Sequence, residues 1–215
     1  MTWLADNWRT VLDLAVAHLY LAGVPLLVGV VVSLPLGWAA KRWSRAYPAI
    51  ITSTGLLYTI PSLALFVIMP IILGTRILDP VNVVVAMTIY TVALLVRTVA
   101  DGLRSVPDHI EQAATAMGYK GLRRLFGVEL PLALPVIAAG LRVAAVSNVS
   151  IVSVASVVGV SQLGDLLLDG YNRIIWGELV TGIVACVLLA LVLDVLILAG
   201  ARLLTPWTRA QGGRA

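Results

Sequence analysis

Leu179–Leu204 reads LVTGIVACVLLALVLDVLILAGARLL. One acid, Asp194, lies within it, and its one base, Arg202, sits near the end. A helix that crosses a bilayer needs about 20 mainly apolar residues, because each residue rises about 1.5 Å. Backbone amides in lipid must pair inside their own segment, so helix is the assignment. The alternation expected of a membrane barrel is absent. Outward from this stretch the same reading gives spans at about 11–40, 48–73, 81–103 and 132–158, besides 179–204. The second span is interrupted by Ile60-Pro61-Ser62 and reads as one kinked helix or two shorter ones.

Composition agrees with the spans. The chain has 215 residues, 60% hydrophobic and 12% charged, with mean hydropathy +0.99. Soluble domains carry about 25% charged residues. A chain this poor in charge cannot cover a globular surface, so lipid is its solvent on most sides. The length suits one transmembrane domain over 1–215. Cys186 is the sole cysteine, so no intrachain disulfide forms. The segment Met1 to Thr10 lacks the basic region of a cleavable signal peptide.

Charge sorting sets the expected orientation. With five spans and the amino terminus outside, Lys41, Arg42, Arg45, Arg104, Lys120, Arg123, Arg124, Arg202, Arg209 and Arg214 lie inside. Arg9, Arg76 and Arg173 lie outside, and Arg97 and Arg142 fall within spans. That asymmetry is the positive-inside rule, and it favours a kinked second span over a split one. It also places the carboxy terminus in the cytoplasm. Trp3, Trp8, Tyr171 and Trp176 read as anchors at the outer interface. Trp38, Trp43, Tyr47 and Trp207 read as anchors at the inner one. The positive charge is explained by membrane side and implies no nucleic-acid partner.

One inner loop, 104–131, is polar. Ser105-Val106-Pro107-Asp108 reads as a helix start, with Ser105 as cap. Ile110, Ala113, Ala114 and Met117 recur at helical spacing and predict one face of small residues. Gly118 sits where a left-handed cap would end the helix. A second short helix is expected from Lys120 to Val128, closed by Leu130-Pro131. An alanine-rich face offers lipid little area, so a protein groove is the better receptor.

Here the chain resembles the ABC importer permeases that carry an EAA loop. Gln112-Ala113-Ala114, Gly118, and Val128-Glu129-Leu130-Pro131 have that family's spacing. Gln112 stands where the family has Glu, with Glu111 just before it. Val96-Arg97-Thr98, the run Leu130 to Arg142, and Leu163-Gly164-Asp165-Leu166 resemble the glycine betaine, carnitine and choline branch. The resemblance implies an all-α type I importer fold of the methionine-permease kind (MetI-like), in the bacterial cytoplasmic membrane. It implies that Glu111, Gln112, Ala113, Ala114, Gly118, Leu130 and Pro131 couple the chain to a cytoplasmic ABC ATPase. It further implies a second permease copy or a paralogous one, and an extracytoplasmic substrate-binding protein. The expected cargo is an osmoprotectant such as glycine betaine, carnitine, choline or proline.

The residues add limits. The lysines, Lys41 and Lys120, end no phosphate-binding loop, so ATP and Mg belong to the partner and no cofactor to this chain. His18 and His109 have no ligand spacing, and no metal site or catalytic set is expected. Tyr58, Thr59, Pro61, Ser62 and Tyr90 around the kink, with Ser147, Asn148 and Ser150 in the fourth span, are candidates for the substrate pathway. Hydroxyl residues in spans also pack helix on helix. Arg142 and Asp194 lie deep in their spans and are expected to pair, because a lone charge there is costly. Arg97 and Asp101 are one turn apart and read as a local pair. Alternatives are a permease for methionine or another amino acid, and, from other classes, a membrane-embedded enzyme or a channel.

Overall fold

A computed structural model describes residues 2–43 and 45–207. Arg209 and Arg214, placed inside by the charge count, lie outside the described residues. The described chain is helical: α1 (Thr2–Arg42), α2 (Ala46–Tyr58), α3 (Ser62–Leu73), α4 (Pro80–Arg104), α5 (Asp108–Ala116), α6 (Gly121–Arg124), α7 (Leu130–Val152), α8 (Gly164–Asn172) and α9 (Trp176–Leu204). A π-helical turn, Leu125–Glu129, joins α6 to α7, and a 3₁₀ segment, Ser153–Val158, follows α7.

Four helices are long and apolar enough to cross a membrane, or five if α2 and α3 together make one span. The two meet at 99°, far sharper than the kink expected from the sequence. Pro61 supplies no amide and disfavours helical geometry at Ile60. The helix therefore stops at Tyr58 and restarts at Ser62. α1 begins well before residue 11 and continues through Pro25 and Pro35.

The core forms around α4, which packs on α1, α2, α3 and α7. Leu21, Phe66, Met69, Met87, Tyr90 and Val149 fill its centre. Three glycines bring backbones together. A Cβ at Gly29 or Gly37 of α1 would overlap Thr91 or Val99 of α4, and one at Gly140 of α7 would overlap Thr98. Small residues are how membrane helices gain close contact without a hydrophobic drive between them. Asn148 locks the same region, donating to the Ala22 carbonyl at 3.2 Å and to Thr91 Oγ1 at 2.9 Å. α9 lies against α7 and α8 and turns Ile183, Val187, Leu191 and Val195 outward. That is the apolar surface a lipid-facing helix presents.

α8 was not read from the sequence. Leu163, Leu166 and Gly170 are buried, at a helical spacing that one half-apolar turn region can show. Gly170 sits so close to Leu179 that a Cβ would lie 2.6 Å from its amide nitrogen. This contact seats α8 on the start of α9.

Candidate functional site

The polar loop folds into α5, α6 and the π turn. Ser105 does not cap α5. Its hydroxyl donates to the Gly102 carbonyl at 2.7 Å and so finishes α4. Pro107, extended at φ −62° and ψ 136°, holds the cap position of α5. Proline's fixed φ and missing amide suit a helix boundary, which moves the start to Asp108. Gly118 and Gly121 adopt φ of +87° and +50°. These left-handed turns reverse the chain between α5 and α6, where a side chain would be strained. The expected break at Leu130-Pro131 is absent, because the helix runs on. The Leu130 amide bonds the Leu125 carbonyl, five residues back. That wider turn takes up the amide missing at Pro131.

Four charged side chains close a ring at this end of the bundle. Lys41, at the end of α1, pairs with both Glu111 of α5 and Glu129 of the π turn, the latter at 2.8 Å. Arg124 returns the pattern, with Nε 2.6 Å from Glu129 and Nη2 3.7 Å from Glu111. Its Nη1 also donates to Thr115 Oγ1 at 3.1 Å. Cation and carboxylate alternate, so each acid sees two bases. Glu129 is 2% exposed. A buried carboxylate is tolerable only when it is paired and hydrogen-bonded, and here it is both. The ring fastens α5 to α1 and to the root of α7.

The ring also decides how α5 is turned. Ala114 is buried and Ile110 half-buried against the bundle, while Gln112, Ala113, Ala116 and Met117 are exposed. The small-residue face expected from spacing is thus split between two sides. Glu111 is half-buried in the ring and Gln112 is exposed, and both border an open cleft with Asp108, Thr115 and Arg124. Leu130 is half-buried in the apolar cluster of Leu103, Leu125 and Ala133. Sequence reading took Lys41 and Arg124 only as inside charges and Glu129 only as part of the loop motif, not as site residues. Lys41 is 70 residues from Glu111, so no local spacing links them.

The other sequence candidates fall in two places. Tyr58, Thr59, Pro61, Ser62 and Tyr90 gather at the α2–α3 break. Tyr58 and Tyr90 rings meet edge to face with centroids 5.7 Å apart. Ser147, Asn148 and Ser150 lie elsewhere, on α7. Asn148 is buried and used in packing, whereas Ser150 is exposed. Arg142 meets Asp194 through two parallel bonds, Nε to Oδ1 at 2.7 Å and Nη2 to Oδ2 at 2.8 Å. This forked contact joins α7 to α9. Arg97 and Asp101 are 3.7 Å apart and well exposed. Asp101 also accepts from Tyr47 Oη at 3.0 Å, and Arg104 stacks 3.8 Å over the Tyr47 ring.

Nearer the middle of α1, His18 is fully buried. Its Nδ1 is 2.7 Å from Gln162 Oε1 and its Nε2 3.0 Å from the Val149 carbonyl oxygen. Gln162 Oε1 also accepts from the Gly164 amide at 2.6 Å. Its Nε2 donates to Ser156 Oγ at 2.7 Å. This second hub ties α1, α7, the 3₁₀ segment and α8.

Comparison with known proteins gives the same architecture. A family model described as "Binding-protein-dependent transport system inner membrane component" matches residues 25–210. The osmoprotectant import permease protein OsmW of Salmonella typhimurium is 34% identical over 207 residues, covering 95% of this chain and 96% of that one. The glycine betaine/carnitine/choline transport system permease protein OpuCB of Bacillus subtilis is 29% identical, covering 96% and 94%. A solved inward-facing structure of the MetNI methionine ABC transporter superposes with a TM-score of 0.84 at 21% identity, covering 93% of this chain and 98% of that one. At that identity the likeness is one of fold.

Proposed function

We infer the function from one premise: the chain belongs to the family of binding-protein-dependent transport system inner membrane components. It is a multi-pass permease subunit of an ABC importer in the cytoplasmic membrane. We propose that its cargo is an osmoprotectant with a quaternary ammonium group, of the kind named for its relatives. The relatives are similar along nearly their whole length, which supports that cargo over methionine, where the likeness is of fold alone.

The observation that carries the mechanism is the ring of Lys41, Glu111, Arg124 and Glu129. It leaves Gln112, Ala113, Ala116 and Met117 of α5 facing out, ready for a groove on an ATPase. When ATP draws two such ATPases together, α5 is pulled with them. Through the ring the pull passes to α1 and to the root of α7. The amino terminus is outside and the carboxy terminus inside, as charge sorting requires. A second permease, identical or paralogous, completes the pathway, and a binding protein delivers cargo from outside. ATP and Mg sit in the partner, whose differential affinity for two states supplies the work. A channel or an enzyme has no need of an exposed helix braced in this way.

The test is to purify the chain with its co-encoded ATPase and binding protein and measure ATP hydrolysis. Glycine betaine or choline, delivered by the binding protein, is expected to stimulate turnover. Met117→Glu, on the exposed face, is expected to release the ATPase during purification. Stimulation by methionine instead would overturn the cargo. An ATPase that stays bound in the Met117 variant would overturn the docking face.

A further inference from the structure

The α2–α3 break brings together three features of one electrostatic sign. First is an aromatic face. Tyr90 is 3% exposed, and its hydroxyl donates to the Ile60 carbonyl, so its ring is fixed. It meets Tyr58 at 87° between ring planes, and Tyr58 remains 39% exposed. Second is a set of unused carbonyls. The Thr59 and Ile60 amides turn back to Leu56 and Leu57, and Pro61 has no amide. Among the described residues no backbone amide reaches the carbonyls of Tyr58 and Thr59. Third is the end of α2, where aligned peptide dipoles leave partial negative charge. Irregular backbone inside a membrane must face protein or water, not lipid.

The surroundings select the kind of cation. Neither α2 nor α3 contains an acid, and no cluster of metal-holding side chains occurs among the described residues. Hard metal ions want carboxylates and ordered oxygen shells. A diffuse ammonium cation is instead drawn to ring faces. Beside the break, Leu63, Val67 and Ile68 of α3 present an exposed apolar face, a surface for methyl groups.

We propose that this break is a binding site for a quaternary ammonium head group, contacted by the Tyr58 ring and the carbonyls of Tyr58 and Thr59. Tyr90 is a positioning residue, holding both the ring and the break. The site rests on the osmoprotectant reading above and gives it a place in this chain. Its affinity is modest, as passage demands: cargo must enter and also leave.

The experiment uses the assembled transporter in liposomes, with labelled choline and glycine betaine as probes. ATP hydrolysis is followed in the same preparation. Tyr58→Leu is expected to lower initial uptake at low cargo concentration about tenfold, the scale of one partly desolvated cation–π contact. Tyr58→Phe keeps most of it. Stepwise ring fluorination of the Phe preserves shape while draining the ring face, so folding is not in question. Uptake is expected to fall with each added fluorine. Equal rates across the fluorine series, or equal loss in Tyr58→Leu and Tyr58→Phe, overturn the site and leave the cargo reading standing. A wild-type transporter that moves neither compound overturns the cargo reading and this site with it.

Discussion

Two polar hubs hold the middle and the end of α1, and they are made of different chemistry. At Lys41 the hub is an ionic ring of two bases and two acids. At His18 it is a web of imidazole, amide, hydroxyl and backbone carbonyl. The hubs are 23 residues apart along the helix, about 35 Å at 1.5 Å per residue. Both reach α7 or its root. The ionic hub takes in the helix offered to a partner, and its cations remain 15% and 25% exposed. The His18 hub is sealed, since His18 and Gln162 are each 0% exposed. The ionic hub buries its shared acid, Glu129, between two bases that stay partly in water, whereas the His18 hub has no such outlet.

The comparison can be broken most directly at Glu129. Glu129→Ala removes the carboxylate shared by Lys41 and Arg124. Loss of one partner from a buried pair costs about 3–5 kcal/mol, and the exposure of the two cations places this case near about 3. Denaturation in detergent is expected to show that loss, and uptake is expected to uncouple from ATP hydrolysis. Unchanged stability would mean that the ring does not hold α5. Gln162→Leu should cost about 2 kcal/mol, because the Gly164 amide and one His18 nitrogen lose their buried partner. Here melting is expected to fall while surviving protein stays coupled. A variant that is equally stable but uncoupled would erase the distinction between the hubs. The smallest effect is expected at Arg97→Ala, within about 0.5 kcal/mol, because an exposed ion pair contributes little.

Much of the fold follows from short-range pattern. α9 is legible because the long, mainly apolar run over 179–204, with Asp194 as its one acid, has one stable form in lipid. The break is legible because Pro61 removes an amide, yet its angle depends on what Tyr90 and the core fill in. Spacing placed α5 in the sequence but could not say which side of it faces inward. That side is set by Lys41, which arrives from another helix. The π turn also escaped sequence reading, since Pro131 following Leu130 reads locally as a stop. α8 escaped because its few buried residues, Gly164, Leu166 and Gly170, show too little apolar periodicity. The deep charges Arg142 and Asp194 are visible in sequence as isolated polar positions, and the structure joins them across α7 and α9.

The glycine contacts limit how this machine can move. Gly29 and Gly37 fit under Thr91 and Val99, and Gly140 under Thr98, like teeth meshed on both sides of α4. Sliding any of these helices by one residue would drive a methyl into a backbone. α1, α4 and α7 are therefore expected to swing as a single lever, carrying with them α5, held by the ring, and α9, held by Arg142 and Asp194, while the bend at Pro61 is left as the joint.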